Sequence, residues 1–339
     1  MTEICRRPID HPVAWTSNAI GGKEGLLRRL SGAEVAVLDE LVAATRHVPT
    51  TQITRRDFDH PLVAALMREV RTALLDGHGA IILAHPALDR SRLDDYERLY
   101  WGLGAHLGHG VAQSGNGDKI GYVHKDPDNP AGRGYLGDQE LRPHTDLHEI
   151  MALASVEVAA EGGRSGLVSS VALHNEILAT RPDLLPALYE GYYHAQNPRA
   201  ATAGPRLSRH KVPIFCYVDG QVSCYYHKIF MRFATDLLDR PFPPELAEAM
   251  AYLDQLAVRP DLAASFTLEP GEMLFWHNWT NFHSRTAFTD SPRQRRLLLR
   301  LWLNIEDGRH VAPAIAERAK LIDRDHEAKH EAAIAEGRP

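Results

Sequence analysis

The spacing of hydrophobic positions changes along this 339-residue chain. Near the N-terminus the period is helical. Val35, Leu38, Leu41 and Val42 recur three and four apart, which predicts a helix within Leu30 to Val48. Leu62, Leu66, Val70 and Leu74 form one stripe and predict a second over Pro61 to Leu75, stopped by Gly77-His78-Gly79. Ala80-Ile81-Ile82-Leu83 is a short apolar run and reads as a buried strand. Leu93 to Leu107 reads as a third helix, ended by Gly108.

The texture then changes. Gln113 to Glu140 is rich in Gly, Asp, Asn and Pro and predicts a long loop. Loops of this length are usually functional or disordered. This one leads into His144, so it reads as a cover over an active site. Strands are predicted at Met151 to Val158, Leu167 to Ser170, Phe266 to Leu268, Met273 to Trp276 and Arg296 to Ile305, with a turn at Glu161-Gly162-Gly163. Ala172 to Tyr193 is helical with a break at Arg181-Pro182, and Pro243 to Leu256 is a further helix. From Pro313 the tail is charged and alanine-rich, and predicts a helix that frays near Pro339.

Ile214 to Tyr226 reads as a hairpin about Asp219-Gly220. A two-residue turn sets Cys216 opposite Ser223 and Cys224 opposite Phe215. The two thiols then face opposite sides of the ribbon, which argues against a disulfide. No Cys-x-x-Cys pair occurs, so a zinc ribbon is not expected. These cysteines predict a reduced, intracellular protein.

Strands separated by turns, with helices mostly on the N-terminal side, predict an α+β fold. Its β core is expected to be a jelly roll (double-stranded β-helix) flanked by helices. No repeat or clean boundary divides the chain. It is expected to be one domain over 1–339: a helical part to about 110, a core over about 111–306 and a helical tail over 307–339. A net charge of −6 gives no basic footprint, so no nucleic-acid partner is expected. Met1 to Ser17 lacks a signal-like apolar core and no run suits a bilayer, which predicts a cytoplasmic protein with no membrane partner.

The candidate chemistry lies in His144-Thr145-Asp146, answered downstream by His283 and Arg296. Two imidazoles and a carboxylate can hold one face of a non-haem Fe(II) and leave the other open. Residues two apart on a strand point the same way, so His144 and Asp146 can reach one ion. His148 continues that alternation; it is a rival ligand or a residue lining the pocket. Arg296 and Arg300 are four apart in an apolar strand and share one face, with Leu297, Leu299 and Leu301 on the other. Buried there, they need anionic partners, and a planar guanidinium matches a carboxylate. The plainer readings are a surface hydrogen bond for His144 and Asp146, a buried hydrogen-bonded His283, and arginines facing water.

Together, His144-x-Asp146, Glu161-Gly162-Gly163-Arg164-Ser165, His283-x-Arg285-x-x-Phe288 and Arg296-x-x-x-Arg300 resemble a known family. They are similar, in order and spacing, to the Fe(II)/2-oxoglutarate-dependent dioxygenases of the taurine dioxygenase and clavaminate synthase group. The likeness runs from about Gly104 to Asn304. It implies that His144, Asp146 and His283 ligate Fe(II), that Arg296 pairs with the distal carboxylate of 2-oxoglutarate, and that Ser165 hydrogen-bonds the same group, with Ser169 or Ser170 as competitors. Arg300 would meet an anionic group of the substrate.

The implied reaction consumes O2 and 2-oxoglutarate, releases succinate and CO2, and oxidises an unactivated C–H bond of a small, carboxylate- or amino-acid-like substrate. A carboxylate at 146 favours hydroxylation, desaturation or ring formation over halogenation. Gln113 and His148 are further substrate candidates. Asn116, His124 and Tyr135 in the loop, and Arg199, Arg206, Tyr225 and His227 near the hairpin, are candidate pocket residues. The competing functions are a zinc hydrolase with the same triad, which has no use for Arg296, and a non-catalytic jelly-roll binding protein.

Overall fold

The computed structural model describes residues 3–85, 92–126, 134–196 and 206–335. The Leu297–Asn304 strand is buried on both faces, and this sets the layers around it. Leu299, Leu301 and Leu303 enter a core shared with the helices Gly32–Ala44, Pro61–Leu75 and Leu93–Gly104. Leu298 and Trp302 enter a different core, between two sheets. Strand alternation places Arg300 on that inner face, as the sequence spacing predicts.

Among the described residues the larger sheet has seven strands. Leu27–Arg29, Ala80–Ala84, Glu272–His277, Ile150–Glu157, Leu297–Asn304 and His109–Gly110 lie side by side in that order, and Gly121–Val123 also pairs with Leu297–Asn304. The smaller sheet is antiparallel and orders Ala264–Phe266, Ser165–Ser169, Asn281–Arg285 and Leu141–His144. Leu167 and Phe266 of the smaller sheet share one core with Met151, Trp276 and Leu298 of the larger. Two sheets packed face to face over a common core, with helices outside, are the expected α+β jelly-roll architecture.

Two features depart from expectation. The strands Leu27–Arg29 and Ala80–Ala84 belong to the larger sheet, so the first hundred residues are woven into the core rather than laid beside it. Helices cover both sheets, and one of them, Lys228–Leu238, is not among those expected from the sequence. Val168 and Phe282 make the outer face of the smaller sheet apolar, and Ser170–Thr180, Leu185–Glu190, Lys228–Leu238 and Pro244–Leu256 pack over it. The helix Lys228–Leu238 is amphipathic, with Met231 and Ala234 buried and Ile229, Leu237 and Leu238 exposed.

The hairpin has the expected register, with Cys216 opposite Ser223 and Cys224 opposite Phe215. Asp219 and Gly220 both take positive φ, at 48° and 79°, the geometry of a tight two-residue turn. The thiols are free and lie in separate cores. The tail helix, Pro313–Ala335, folds back on its own chain, and Ile315 packs with Leu147, Tyr225 and Trp279. Its predicted fraying near Pro339 lies outside the described residues. No helix among the described residues is long and apolar enough to cross a membrane.

Leu299 is fully buried between the larger sheet and the helices. Leu299→Ala is expected to destabilise the protein by about 2–5 kcal/mol in denaturant unfolding. A loss well under 1 kcal/mol would contradict this layering.

Candidate metal centre and co-substrate pocket

Strand pairing assembles the site. His283 in Asn281–Arg285 is the direct cross-strand partner of His144 at the end of Leu141–His144. Their ring centroids are 4.2 Å apart. Asp146 lies just beyond the strand, and Thr145 holds the chain there. The Thr145 N–H donates to the Tyr226 carbonyl at 2.8 Å, and the Tyr226 N–H donates to Thr145 Oγ1 at 2.8 Å. Thr145 is thereby turned away and Asp146 faces the histidines.

Asn278 secures the next turn. Its Oδ1 accepts from the Asp146 N–H at 3.0 Å, and its Nδ2 donates to the Asp146 and His148 carbonyls at 2.8 and 2.9 Å. The Asp146 carboxylate is then 3.9 Å from Nε2 of both His144 and His283. One ligand atom from each of the three residues falls within 4.8 Å of the others, so one ion can sit among them.

The electrostatics suit a cation. The His144 Nδ1–H donates to the Arg142 carbonyl at 2.7 Å, which leaves Nε2 bare as a ligand. Burial, and then the neighbouring His144, push the pKa of His283 well below its ordinary value. Burial alone would raise the pKa of Asp146, but His283, His144 and Arg300 outweigh it and keep the carboxylate ionised. A third histidine, His227, has Nε2 3.9 Å from Asp146 and a ring 5.0 Å from that of His144. Burial pushes its pKa down to about 3. The two-imidazole, one-carboxylate donor set fits Fe(II).

The triad lies on a cavity of about 740 Å³ that Ser165, Arg285, Arg296 and Arg300 also line. Arg296 is 3% exposed, and its Nη1 has no hydrogen-bond partner. Burial, and then the charge of Arg285, push its pKa down to about 9. Arg285 stands opposite Ser165 across the strands. Its Nε and Nη1 are buried without partners, and burial pushes its pKa down to about 10. Both guanidiniums stack on Phe288, at 4.9 Å for Arg285 and 5.2 Å for Arg296. Gly163 makes room for Arg296, and Gly162 for the backbone at Ala287. Both take positive φ, and a Cβ on Gly163 would come 3.1 Å from Arg296 Cδ. Two buried guanidiniums without an ion pair among the described residues have the chemistry to receive a dianion.

The other expected residues are placed as follows. Arg300 Nε donates to Gln113 Oε1 at 2.6 Å, and its guanidinium stacks on Tyr135 and Trp302. Gln113 lies behind Arg300 and also donates to the Arg300 carbonyl. His148 is outside the ligand cluster: Nδ1 meets Asn304 Oδ1 at 3.0 Å and Nε2 meets Asp323 at 3.2 Å. Tyr135 and His227 line the cavity; Asn116, His124, Arg206 and Tyr225 are not among its lining residues. Arg199 lies outside the described residues. Ser169, a competitor of Ser165, instead donates to the Val13 carbonyl and caps a helix.

Sequence reasoning gave Arg285 no role, although it shares a strand face with His283 two residues earlier. Asn278 carried no periodic signal, because it sits in a turn between strands.

The chain is similar to several known proteins. The profile of the taurine catabolism dioxygenase TauD, TfdA family matches residues 44–302. The FR-33289 synthase of Streptomyces rubellomurinus is 27% identical over 330 residues, covering 93% of this chain and 96% of that protein. Two solved structures share the fold. An asparagine oxygenase with Fe(II), 3-hydroxyasparagine and succinate has a TM-score of 0.67 at 16% identity, covering 82% of this chain and 93% of that one. The non-haem iron oxygenase OrfP with iron and α-ketoglutaric acid has a TM-score of 0.64 at 15% identity, covering 83% of this chain and 94% of that one.

Asn278→Ala removes the anchor of the Asp146 turn. It is expected to weaken binding of Co(II) or Fe(II) about 10- to 100-fold in a titration. Unchanged affinity in the folded variant would contradict a positioning role for Asn278.

Proposed function

This chain belongs to the taurine catabolism dioxygenase TauD, TfdA family, and we infer from that premise how its own residues serve an Fe(II)- and 2-oxoglutarate-dependent oxygenase. The activity is that of an oxidoreductase with Fe(II) as cofactor and 2-oxoglutarate and O2 as co-substrates. We propose that His144, Asp146 and His283 hold the iron. The observation that carries this is the convergence of three ligand atoms within 4.8 Å, beside buried guanidiniums that lack a counter-ion.

Bound iron supplies oxidation of a C–H bond, coupled to conversion of 2-oxoglutarate to succinate and CO2. The protein supplies placement. Arg296 takes the distal carboxylate of 2-oxoglutarate, and Ser165 and Arg285 complete that receptor. Removing a dianion from water into this pocket is offset by charge-assisted hydrogen bonds in a fixed fork. Met151, Leu153, Trp276 and Trp302 line the same cavity and exclude water from it. Gln113 fixes the guanidinium of Arg300, which faces the substrate. His148 acts on the tail helix through Asp323 rather than on the metal.

The substrate is proposed to be small and carboxylate- or amino-acid-like, and its product hydroxylated, desaturated or cyclised. Two observations support that reading. The fold neighbours are solved with 3-hydroxyasparagine and with (3S)-hydroxy-L-Arg, and cationic groups line this cavity. The chain is further proposed to act as one domain, because its first hundred residues give strands to the larger sheet. A zinc hydrolase would leave Arg285 and Arg296 without a task.

Anaerobic protein with Fe(II) and 2-oxoglutarate is expected to show a weak visible charge-transfer band. His144→Ala or His283→Ala should abolish it. Arg296→Ala should raise the 2-oxoglutarate concentration needed at least about tenfold. A band that survives loss of either histidine removes that residue from the ligand set.

A further inference from the structure

The tail helix Pro313–Ala335 lies beyond residue 302, where the family match ends. It carries Arg318, which is 2% exposed. Nε, Nη1 and Nη2 of Arg318 are all buried without a hydrogen-bond partner, and it forms no ion pair among the described residues. Among the described residues its recorded contacts are aromatic or neutral. The guanidinium lies 5.1 Å from the centre of the Phe230 ring. The Tyr225 hydroxyl interacts with it, yet is itself buried outside hydrogen-bonding geometry. His194 is fully buried with both ring nitrogens unpartnered, and its ring is 5.2 Å from that of Tyr225. Burial, and then the charge of Arg318, push His194 well below its ordinary pKa.

A buried guanidinium with no counter-ion costs far more than an exposed one. Here the Arg318 guanidinium, the Tyr225 hydroxyl and both His194 nitrogens are buried and unpartnered at one place, and the cation among them lacks a counter-ion. The place adjoins the reaction chamber. Phe230 and His227 both line the cavity, the charge of Arg318 is felt at His227, and His227 stands 3.9 Å from Asp146. Arg300, by contrast, is already engaged by Gln113 and stacked on two aromatic rings.

We propose that Arg318, Tyr225 and His194 form the receptor for an oxyanionic end of the substrate, behind the wall made by Phe230 and His227. A carboxylate or a tetrahedral oxyanion meets the requirement. The proposal rests on the oxygenase reading of the same cavity, and it makes the tail helix a determinant of substrate choice.

The test titrates metal-free protein with acetate, methanesulfonate or inorganic phosphate at constant ionic strength, by calorimetry. The wild type is expected to bind at least one of them, and the preferred probe tells planar from tetrahedral. Arg296→Met, which removes the co-substrate receptor, should leave this binding in place. Arg318→Met should weaken it about 10- to 100-fold. Arg318→Lys keeps the charge and guards against misfolding; it should still weaken binding about tenfold by losing the planar fork. No binding by the wild type, wild-type affinity in both Arg318 variants, or loss in Arg296→Met alone would overturn the proposal. The Fe(II)/2-oxoglutarate band should persist in Arg318→Lys. Its absence from the wild type would overturn the oxygenase reading while the anion titration still decides this one.

Discussion

The pairing of His283 with His144 across two neighbouring strands is the contact on which the site depends. Strand register has a period of two, so a slip by one residue would turn His283 outward and Phe282 inward. Phe282 now packs under the helices of the outer layer, which makes that slip costly. The same strand sets Arg285 opposite Ser165 on its other side. One register therefore fixes both the metal end and the diacid end of the cavity.

The charges in the cavity become intelligible once ligands are counted. Asp146 is the only carboxylate in the ligand cluster, held ionised by histidines and by Arg300. Arg285 and Arg296 are buried with unpartnered nitrogens. Burying such groups without counter-ions lowers stability, and their burial shows in their depressed pKa values. A metal cation at the triad and a dianion at the arginines relieve both conditions together. Binding free energy is here folding free energy too, because each ligand stabilises the form that receives it.

Much of this was legible in the sequence because strand alternation is a local rule. Four-residue spacing put Arg296 and Arg300 on one face, whereas Asp146 lies past the end of its strand and reaches His144 through the turn that Thr145 and Asn278 hold. The helix Pro61–Leu75 declared itself through its stripe and through Pro61 at its first turn. What escaped notice depends on contacts between distant segments. Asn278 acts through Asp146, 132 residues earlier. Arg318 sits in a tail whose composition is that of a solvated helix, and only tertiary packing reveals that it is buried.

The most direct test of the account is a crystal structure of the protein grown anaerobically with Fe(II) and 2-oxoglutarate, with anomalous scattering recorded at the iron edge. The account predicts one iron peak within bonding distance of Nε2 of His144, Nε2 of His283 and the Asp146 carboxylate, and the distal carboxylate of 2-oxoglutarate against the Arg296 guanidinium. An iron peak held by other side chains, or 2-oxoglutarate bound away from Arg296, would contradict it.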